Sequence, residues 1–195
     1  MAPEAVLFDL DGTIWDSWPW YAHLAGIRGR ASRDAVILEQ GQPAATILRQ
    51  AGVTPAKFPA LCERNISTLS LYPGVRSGLE EMSKRSIPSG IVTNLPGWIA
   101  LPMLRSLRLQ DYFTAIVDYG TPRRRKPHPE PLLIAVQELG IAASPATWYV
   151  GDSINDGQAA NAAGLSFAWA SYGYGQQQPP GADKIVSRFR QVLAL

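Results

Sequence analysis

The stretch AVLFDLDGT, residues 5–13, decides the fold that this chain can adopt. Its first four residues are apolar, which is typical of a short strand that is buried on both faces. Two carboxylates, Asp9 and Asp11, follow at once. An apolar core would not select carboxylates at this point. The pattern therefore predicts a buried strand that ends in acidic side chains at the edge of a sheet.

Four other apolar runs share the properties of this first one. Each is rich in β-branched or aromatic residues and is bounded by Gly, Pro, Asn or Asp. Together they predict five strands, over residues 5–8, 89–92, 115–117, 148–150 and 166–170. Helical periodicity separates the later strands, over residues 73–85, 98–107, 129–139 and 156–163. Alternating strands and helices predict an α/β protein with a Rossmann-like parallel sheet flanked by helices.

Residues 15–71 interrupt this alternation. No strand is predicted there, and helical patterns occur at residues 20–26, 33–39, 44–51 and 59–70, punctuated by Gly and Pro. The interval therefore predicts a small helical cap inserted after the first strand, with residues 1–14 and 72–195 forming the core. Near the C-terminus, the segment of residues 182–195 is expected to end in a short amphipathic helix.

Composition narrows the possible partners. The chain has 195 residues, with 18 Lys plus Arg against 16 Asp plus Glu, and its formal net charge is +2. This balance is too close to neutral to favour nucleic acid or an anionic membrane as the main partner. No window approaches the roughly 18 apolar residues that a membrane span needs. The single Cys62 cannot form an internal disulfide. We therefore expect a soluble cytoplasmic protein, monomeric or homodimeric.

Polar side chains follow three of the predicted strands: Asp9 with Asp11, Thr93 with Asn94, and Asp152 with Asp156. The carboxyl ends of parallel strands form the ligand crevice of an open sheet, so we expect these groups to converge. Four neighbouring carboxylates repel one another unless a cation is present, and oxygen ligands without nitrogen or sulfur favour Mg²⁺. Each aspartate taken alone could instead be a helix cap or a turn former.

Four segments of the chain resemble the motifs of the haloacid dehalogenase superfamily, in the same order: Asp9-Leu10-Asp11-Gly12-Thr13, Thr93-Asn94, Lys126-Pro127-His128-Pro129 and Gly151-Asp152-Ser153-Ile154-Asn155-Asp156. Together they cover the chain from residue 6 to about residue 170. The helical insertion after the first motif resembles the branch that contains phosphoglycolate phosphatases and β-phosphoglucomutases.

The resemblance implies four catalytic roles. Asp9 is expected to be the nucleophile, giving an aspartyl-phosphate that divides the hydrolysis into two steps. Asp11 is expected to protonate the leaving alcohol and then to deprotonate the attacking water. Thr93 would hydrogen-bond phosphoryl oxygens, and Lys126 would neutralise the charge of the phosphate and the nucleophile.

The same resemblance implies the binding residues. Gly12 and Thr13 would turn the chain sharply beneath the substrate, and Asn94 would contribute to the binding of the phosphoryl group. The expected ligands of Mg²⁺ are Asp9, Asp152 and the carbonyl of Asp11. Asp156 would be a ligand through water or an orienting group.

Several functions are compatible with these motifs. The leading hypothesis is a Mg²⁺-dependent phosphatase acting on a small phosphomonoester such as phosphoglycolate or a sugar phosphate. Dehalogenation is disfavoured because Asp11 supplies a second carboxylate that this reaction does not need. A phosphosugar mutase remains open. So does a nonenzymatic protein that binds an anion or nucleic acid through the cationic run Arg123, Arg124, Arg125 and Lys126.

Specificity is expected to come from the cap. Trp15, Trp18, Trp20 and Tyr21 crowd its beginning, where they either pack or form an aromatic wall over the site. Residues 41–45 resemble the substrate-specificity loop of this branch, and Arg49 is a candidate anion contact.

Overall fold

A parallel sheet organises the computed structural model, which describes residues 3–24 and 44–195. Within these residues the sheet has six strands, all in parallel pairs. They are β1 (Ala5–Phe8), β4 (Ser89–Val92), β5 (Ala115–Val117), β6 (Thr147–Gly151), β7 (Ser166–Ala170) and β8 (Lys184–Val186). The spatial order is β5-β4-β1-β6-β7-β8. The five predicted strands are confirmed.

Strand β1 lies at the centre of the sheet. Phe8 is in register with Ile91 of β4 on one side and with Val150 of β6 on the other. All four residues of β1 are buried, because helices cover both faces of the sheet. Directly after Phe8, the amide of Asp9 donates to the carbonyl of Val150 at 2.9 Å. The ladder therefore fixes the backbone of Asp9 at the middle of the carboxyl edge.

Helices connect the strands of the sheet: α4 (Val75–Lys84), α5 (Gly97–Ser106), α6 (Glu130–Glu138) and α7 (Ile154–Ala163). Their bounds agree with the predicted segments to within about two residues, as expected where helix ends are hard to assign. Helix α7 begins with a capping box, in which Ser153 and Asp156 satisfy each other's backbone amides. It ends at Gly164, whose φ of 73° is the left-handed conformation that glycine tolerates best.

The interval predicted as a cap contains α1 (Trp18–Leu24), α2 (Ala44–Gln50) and α3 (Phe58–Asn65), followed by a short 3-10 helix (Ile66–Thr68). The helix predicted at 33–39, and residues 41–43 of the predicted specificity loop, lie outside the described residues. Phe58 of α3 meets Trp98 of α5 edge-to-face, with ring centroids 5.4 Å apart. The helices of this interval therefore share one hydrophobic cluster with the sheet. The boundaries at residues 15 and 72 stay a prediction.

Two regions differ from the sequence-based expectation. A two-residue antiparallel pair, β2 (Trp15–Asp16) with β3 (Ser70–Leu71), stands at the ends of the interval for which no strand was predicted. The C-terminal segment, residues 182–195, begins with a strand that was not predicted, and the helix expected at its end is a 3-10 helix. Residues Lys184–Val186 form the edge strand β8, which pairs with β7, and a 3-10 helix follows over Phe189–Ala194. An edge strand with one buried residue in three carries little apolar signal.

No helix in the described parts of the chain is long and apolar enough to cross a membrane.

Phe189 anchors the C-terminal segment to the sheet. It is 1% exposed, and its ring stacks on that of Phe8 with centroids 5.5 Å apart. We expect Phe189→Ala to lower the free energy of unfolding by about 3–5 kcal/mol, because it leaves a cavity beneath the central strand. Chemical denaturation measures this loss. The control is Ile185→Ala on β8, which is 49% exposed and should change stability by about 0.5 kcal/mol or less. Equal effects of the two substitutions would contradict the packing role of Phe189.

Candidate active site

Three carboxylates meet at the carboxyl edge of the sheet. Asp9 follows β1, while Asp152 and Asp156 lie in the turn after β6 and the first turn of α7. One oxygen of each lies within 4.8 Å of an oxygen of the other two, and all three residues are buried. The predicted convergence of residues more than 140 positions apart in the chain is therefore observed for these three aspartates.

The ammonium of Lys126 lies inside this cluster. Its Nζ donates to Asp9 Oδ1 at 2.8 Å and to Asp156 Oδ1 at 2.7 Å. It also lies 3.0 Å from the carbonyl of Val92 and 2.6 Å from the hydroxyl of Tyr149. The Lys126 side chain is only 3% exposed, so four oxygens surround an ammonium that carries three N–H groups.

The carboxylates have different pKa values because their neighbours differ. Burial raises the pKa of Asp9 to about 7, although Lys126 opposes the shift. Burial, reinforced by repulsion from Asp156 and Asp9, raises the pKa of Asp152 well above its usual value. Burial also acts against the charged form of Asp156, but attraction to Lys126 outweighs it, and the pKa of Asp156 is lowered. Asp156 and Asp9, the two carboxylates that Lys126 contacts, keep the pKa of Lys126 above its ordinary value despite burial.

The charges of this cluster do not balance. Three carboxylates face a single ammonium, and repulsion among the carboxylates adds to burial in raising the pKa values of Asp9 and Asp152. A divalent cation with a preference for oxygen ligands would relieve it. The residues present fit such an ion, because Asp9, Asp152 and Asp156 each offer a carboxylate oxygen within 4.8 Å of the others.

Asp152 and Asp156 are held in different ways. Both oxygens of Asp156 have protein partners: Oδ1 accepts from Lys126 and from Tyr149, and Oδ2 accepts from Ser153 Oγ at 2.6 Å. Asp152 Oδ2 accepts the backbone amides of Tyr174 and Gly175 at 2.6 and 3.2 Å. Among the described residues, no hydrogen-bond donor reaches Asp152 Oδ1. Asp152 therefore has an oxygen available for a ligand, whereas both oxygens of Asp156 already accept hydrogen bonds from protein groups.

The carboxylate of Asp11 does not join the cluster. Its Oδ1 accepts from Trp15 Nε1 at 2.7 Å, from Ser17 Oγ at 2.5 Å and, more weakly, from the Tyr21 hydroxyl at 3.4 Å. Burial raises the pKa of Asp11, and these three donors limit the shift. The structure thus separates Asp11 from the other three predicted carboxylates and directs it toward the beginning of the predicted cap.

The other predicted site residues lie beside the cluster. Thr93 is buried, and its Oγ1 accepts the amide of Leu95 at 3.1 Å. Asn94 Nδ2 donates to the carbonyl of Lys126 at 3.1 Å, so it supports the backbone that carries the ammonium. Both contacts are made within the protein and give no evidence that either side chain binds a ligand. Their roles in binding phosphate stay predictions.

Gly12 and Thr13 form the turn that follows Asp11. Gly12 has a φ of 81°, and a Cβ on it would collide with the carboxylate of Asp152. Only glycine therefore fits between the first motif and the fourth. Thr13 is fully buried, and its Oγ1 has no partner within the described residues.

Comparison with known proteins agrees with this geometry. The sequence pattern of the haloacid dehalogenase-like hydrolases matches residues 6–170. A phosphoglycolate phosphatase from Nitrosococcus oceani is 33% identical, over 88% of this chain and 85% of its own. Another from Pectobacterium atrosepticum is 31% identical, over 100% of this chain and 92% of its own. This chain belongs to the haloacid dehalogenase-like hydrolases. The predicted membership and the reaction class of phosphatase are confirmed.

Solved structures agree on the fold. A variant of CbbY from Rhodobacter sphaeroides in complex with xylulose-1,5-bisphosphate superposes with a TM-score of 0.77. It is 20% identical, over 99% of this chain and 100% of that one. At this level of identity the likeness concerns the haloacid dehalogenase-like fold alone.

Sequence reasoning missed Tyr149 and Tyr174 in this hydrolase. The hydroxyl of Tyr149 contacts Lys126, Asp156 and the carbonyl of Val92, at 2.6, 3.0 and 2.9 Å. An aromatic residue in a predicted buried strand indicates packing, and the strand pattern gives no sign that its hydroxyl reaches β4, two strands away in the sheet. Tyr174 lies in a Gly-rich loop, whose composition predicts a turn but no contact with Asp152.

The cationic run does not act as one unit. Lys126 is buried, whereas Arg123, Arg124 and Arg125 are exposed. The amides of Arg123 and Arg124 donate to Glu130, and the guanidinium of Arg125 lies 3.4 Å from the centre of the Tyr119 ring. Contacts with Glu130, at the start of α6, and with Tyr119 thus account for the positions of these residues.

The aromatic residues at the beginning of the predicted cap are mostly interior. Trp15, Trp20 and Tyr21 are at most 2% exposed, and Trp18 is partly buried. The guanidinium of Arg49 lies 5.8 Å from the centre of the Trp98 ring. Packing therefore explains Trp15 and Trp20, and a specificity role stays a prediction.

The charge imbalance predicts that Mg²⁺ stabilises the folded protein. A ligand that binds only the folded state, at a concentration of 100 times its dissociation constant, raises the free energy of unfolding by about 2.7 kcal/mol. For a chain of this size we expect the Tm to rise by about 5–10 °C. Differential scanning calorimetry with Mg²⁺ and with a chelator measures the shift.

Asp152→Asn supplies the control for this shift. The amide removes one buried negative charge while its oxygen still accepts from Tyr174 and Gly175. We expect the metal-free variant to be at least as stable as the metal-free wild type, and its Tm should not respond to Mg²⁺. A full Mg²⁺ shift in Asp152→Asn would contradict the assignment of this carboxylate.

Proposed function

We propose that this protein is a Mg²⁺-dependent phosphatase that hydrolyses a small phosphomonoester through an aspartyl-phosphate on Asp9. The state of the Asp9 carboxylate carries the proposal. Lys126 holds Oδ1, while no donor within the described residues reaches Oδ2. The side chain of Asp9 is 12% exposed against 1% for Asp156, so it is the more open of the two carboxylates that Lys126 contacts.

In the first step Asp9 attacks phosphorus, a bond forms between its oxygen and phosphorus, and the bond from phosphorus to the alcohol oxygen breaks. Asp11 gives its proton to that oxygen. The raised pKa of Asp11 favours the protonated form that this step requires. In the second step water attacks phosphorus, Asp11 takes back a proton, and phosphate leaves with the carboxylate of Asp9 restored.

The remaining residues stabilise negative charge. Lys126 lies against the nucleophile and would attract the phosphoryl oxygens as they approach. Asp9, Asp152 and the carbonyl of Asp11 would hold Mg²⁺, with Asp156 keeping Lys126 and the turn after β6 in place. Bound there, Mg²⁺ would neutralise charge on the phosphoryl group.

A phosphate ester of a small organic acid or sugar is the favoured substrate. The relatives that are 31–33% identical are phosphoglycolate phosphatases, which supports a small leaving group and supports hydrolysis over the transfer that a mutase performs. The presence of Asp9, Lys126 and Asp152 in one cluster argues against a nonenzymatic anion-binding protein.

Removal of the nucleophile tests the covalent step. Asp9→Asn should lower kcat by about four orders of magnitude or more, because the amide cannot attack phosphorus. A steady-state assay with a chromogenic phosphomonoester measures the loss, and circular dichroism checks the fold. The control Asp111→Asn changes an exposed aspartate and should retain activity. Substantial turnover by Asp9→Asn would overturn the mechanism.

Substrate size provides a separate test. Enclosure of the leaving group by the predicted cap would favour small molecules over macromolecules, since closure excludes bulk. We expect phosphoglycolate or a sugar phosphate to have a higher kcat/KM than any phosphoprotein or nucleic-acid end in one panel. The panel is measured with Mg²⁺ and again after chelation. A phosphoprotein that outperforms every small metabolite would exclude this substrate class.

A further inference from the structure

The loop after β7 holds the candidate metal ligand Asp152. The amides of Tyr174 and Gly175 donate to Asp152 Oδ2, at 2.6 and 3.2 Å. From β7 itself, Trp169 Nε1 donates to the carbonyl of Asp152 at 3.0 Å. A Cβ on Gly175 would collide with this same carbonyl, so the loop lies as close to Asp152 as a backbone can. Three donors thus fix both the backbone and the side chain of Asp152.

The side chain of Tyr174 extends to a different part of the molecule. Its hydroxyl donates to Asp16 Oδ1 at 2.8 Å and accepts the amide of Trp18 at 3.3 Å. Its ring meets that of Trp18 edge-to-face, with centroids 6.2 Å apart. Asp16 belongs to β2 and Trp18 begins α1, so these contacts lie where the chain enters the predicted cap.

Tyr174 therefore joins two places that no sequence motif connects. Its amide holds the carboxylate of Asp152, and its phenol holds residues 16–18, through one stiff aromatic side chain. A displacement of residues 16–18 would therefore also displace Tyr174, whose amide orients Asp152. Coupling between two sites is reciprocal. The free energy by which the position of residues 16–18 changes ligand binding at Asp152 therefore equals the free energy by which ligand binding at Asp152 changes the position of residues 16–18.

We propose that Tyr174 is a positioning residue that couples the orientation of Asp152 for Mg²⁺ to the position of residues 16–18, through its amide on Asp152 and its hydroxyl on Asp16 and Trp18. This inference rests on the proposed function only in taking Asp152 as a ligand of Mg²⁺. Binding of the ion orders the beginning of the cap, and ordering of that segment strengthens the binding of the ion.

Tyr174→Phe tests the coupling, because it removes the hydroxyl and leaves the amide on Asp152. The matched control is Tyr172→Phe in the same loop. Its hydroxyl donates to the carbonyl of Thr13 at 3.0 Å and forms no hydrogen bond with Asp152 or Asp16. The probe is Mg²⁺ alone, without substrate. Calorimetric titration gives the Kd, and hydrogen exchange measured by NMR reports the amide of Trp18.

In the wild type and in Tyr172→Phe, Mg²⁺ should slow the exchange of the Trp18 amide. In Tyr174→Phe this effect should be lost, and the Kd for Mg²⁺ should rise about three- to tenfold, the value of one hydrogen bond. Asp16→Ala removes the other partner and should raise the Kd similarly. The double variant should be no weaker than either single one, because both substitutions break the same link.

A Tyr174→Phe protein with wild-type Kd and wild-type slowing of exchange overturns the inference and leaves the proposed function intact. Additive losses in the double variant also overturn it, since they indicate two independent structural effects. A wild-type protein that does not bind Mg²⁺ removes the proposed metal site together with the inference.

Discussion

The buried ammonium of Lys126 is the interaction on which the rest of the site depends. It bonds the carboxylate that follows β1, the last carbonyl of β4, a hydroxyl of β6 and a carboxylate of α7. Loss of one partner of a buried ion pair typically costs about 3–5 kcal/mol, because the remaining charge stays uncompensated. Here one cation has two carboxylate partners. The edge of the sheet is therefore held together by electrostatics, while its centre is held by apolar packing.

Lys126 contacts Asp156 but not Asp152, and the pKa values of these two carboxylates shift in opposite directions. Asp156 has Lys126 on one oxygen and Ser153 on the other, and its pKa is lowered. Asp152 has backbone amides but no cation among its hydrogen-bond partners, and its pKa is raised well above the usual value. One ammonium cannot neutralise the whole cluster. The uncompensated charge at Asp152 is the physical reason to propose a divalent ion at this position.

The sequence predicted the central sheet well because β1, β4, β5, β6 and β7 are largely buried runs with clear boundaries. It also predicted that Asp9, Asp152 and Asp156 meet, since residues at the carboxyl ends of parallel strands converge. Lys126 was expected from the resemblance of its motif to the family. It did not predict the edge strand β8, whose exposed Ile185 gives no strand pattern. The expectation that the Asp11 carboxylate joins the other three was wrong, and the contacts of the Tyr149 and Tyr174 hydroxyl groups were not predicted. Side-chain direction depends on tertiary contacts that spacing does not encode.

The surroundings of the Asp11 carboxyl group suit the role of general acid and base. Where two titratable groups have environments that push their pKa values apart, the groups can perform different tasks at one pH. Asp156 bonds directly to a cation, and its pKa is lowered. Asp11 accepts its hydrogen bonds from the neutral donors Trp15, Ser17 and Tyr21, Lys126 acts on it more weakly, and burial raises its pKa. A carboxyl group that must give and take protons is better served by neutral neighbours. The separation of Asp11 from the cluster therefore supports its assignment to proton transfer, and it leaves charge neutralisation to the residues around Lys126.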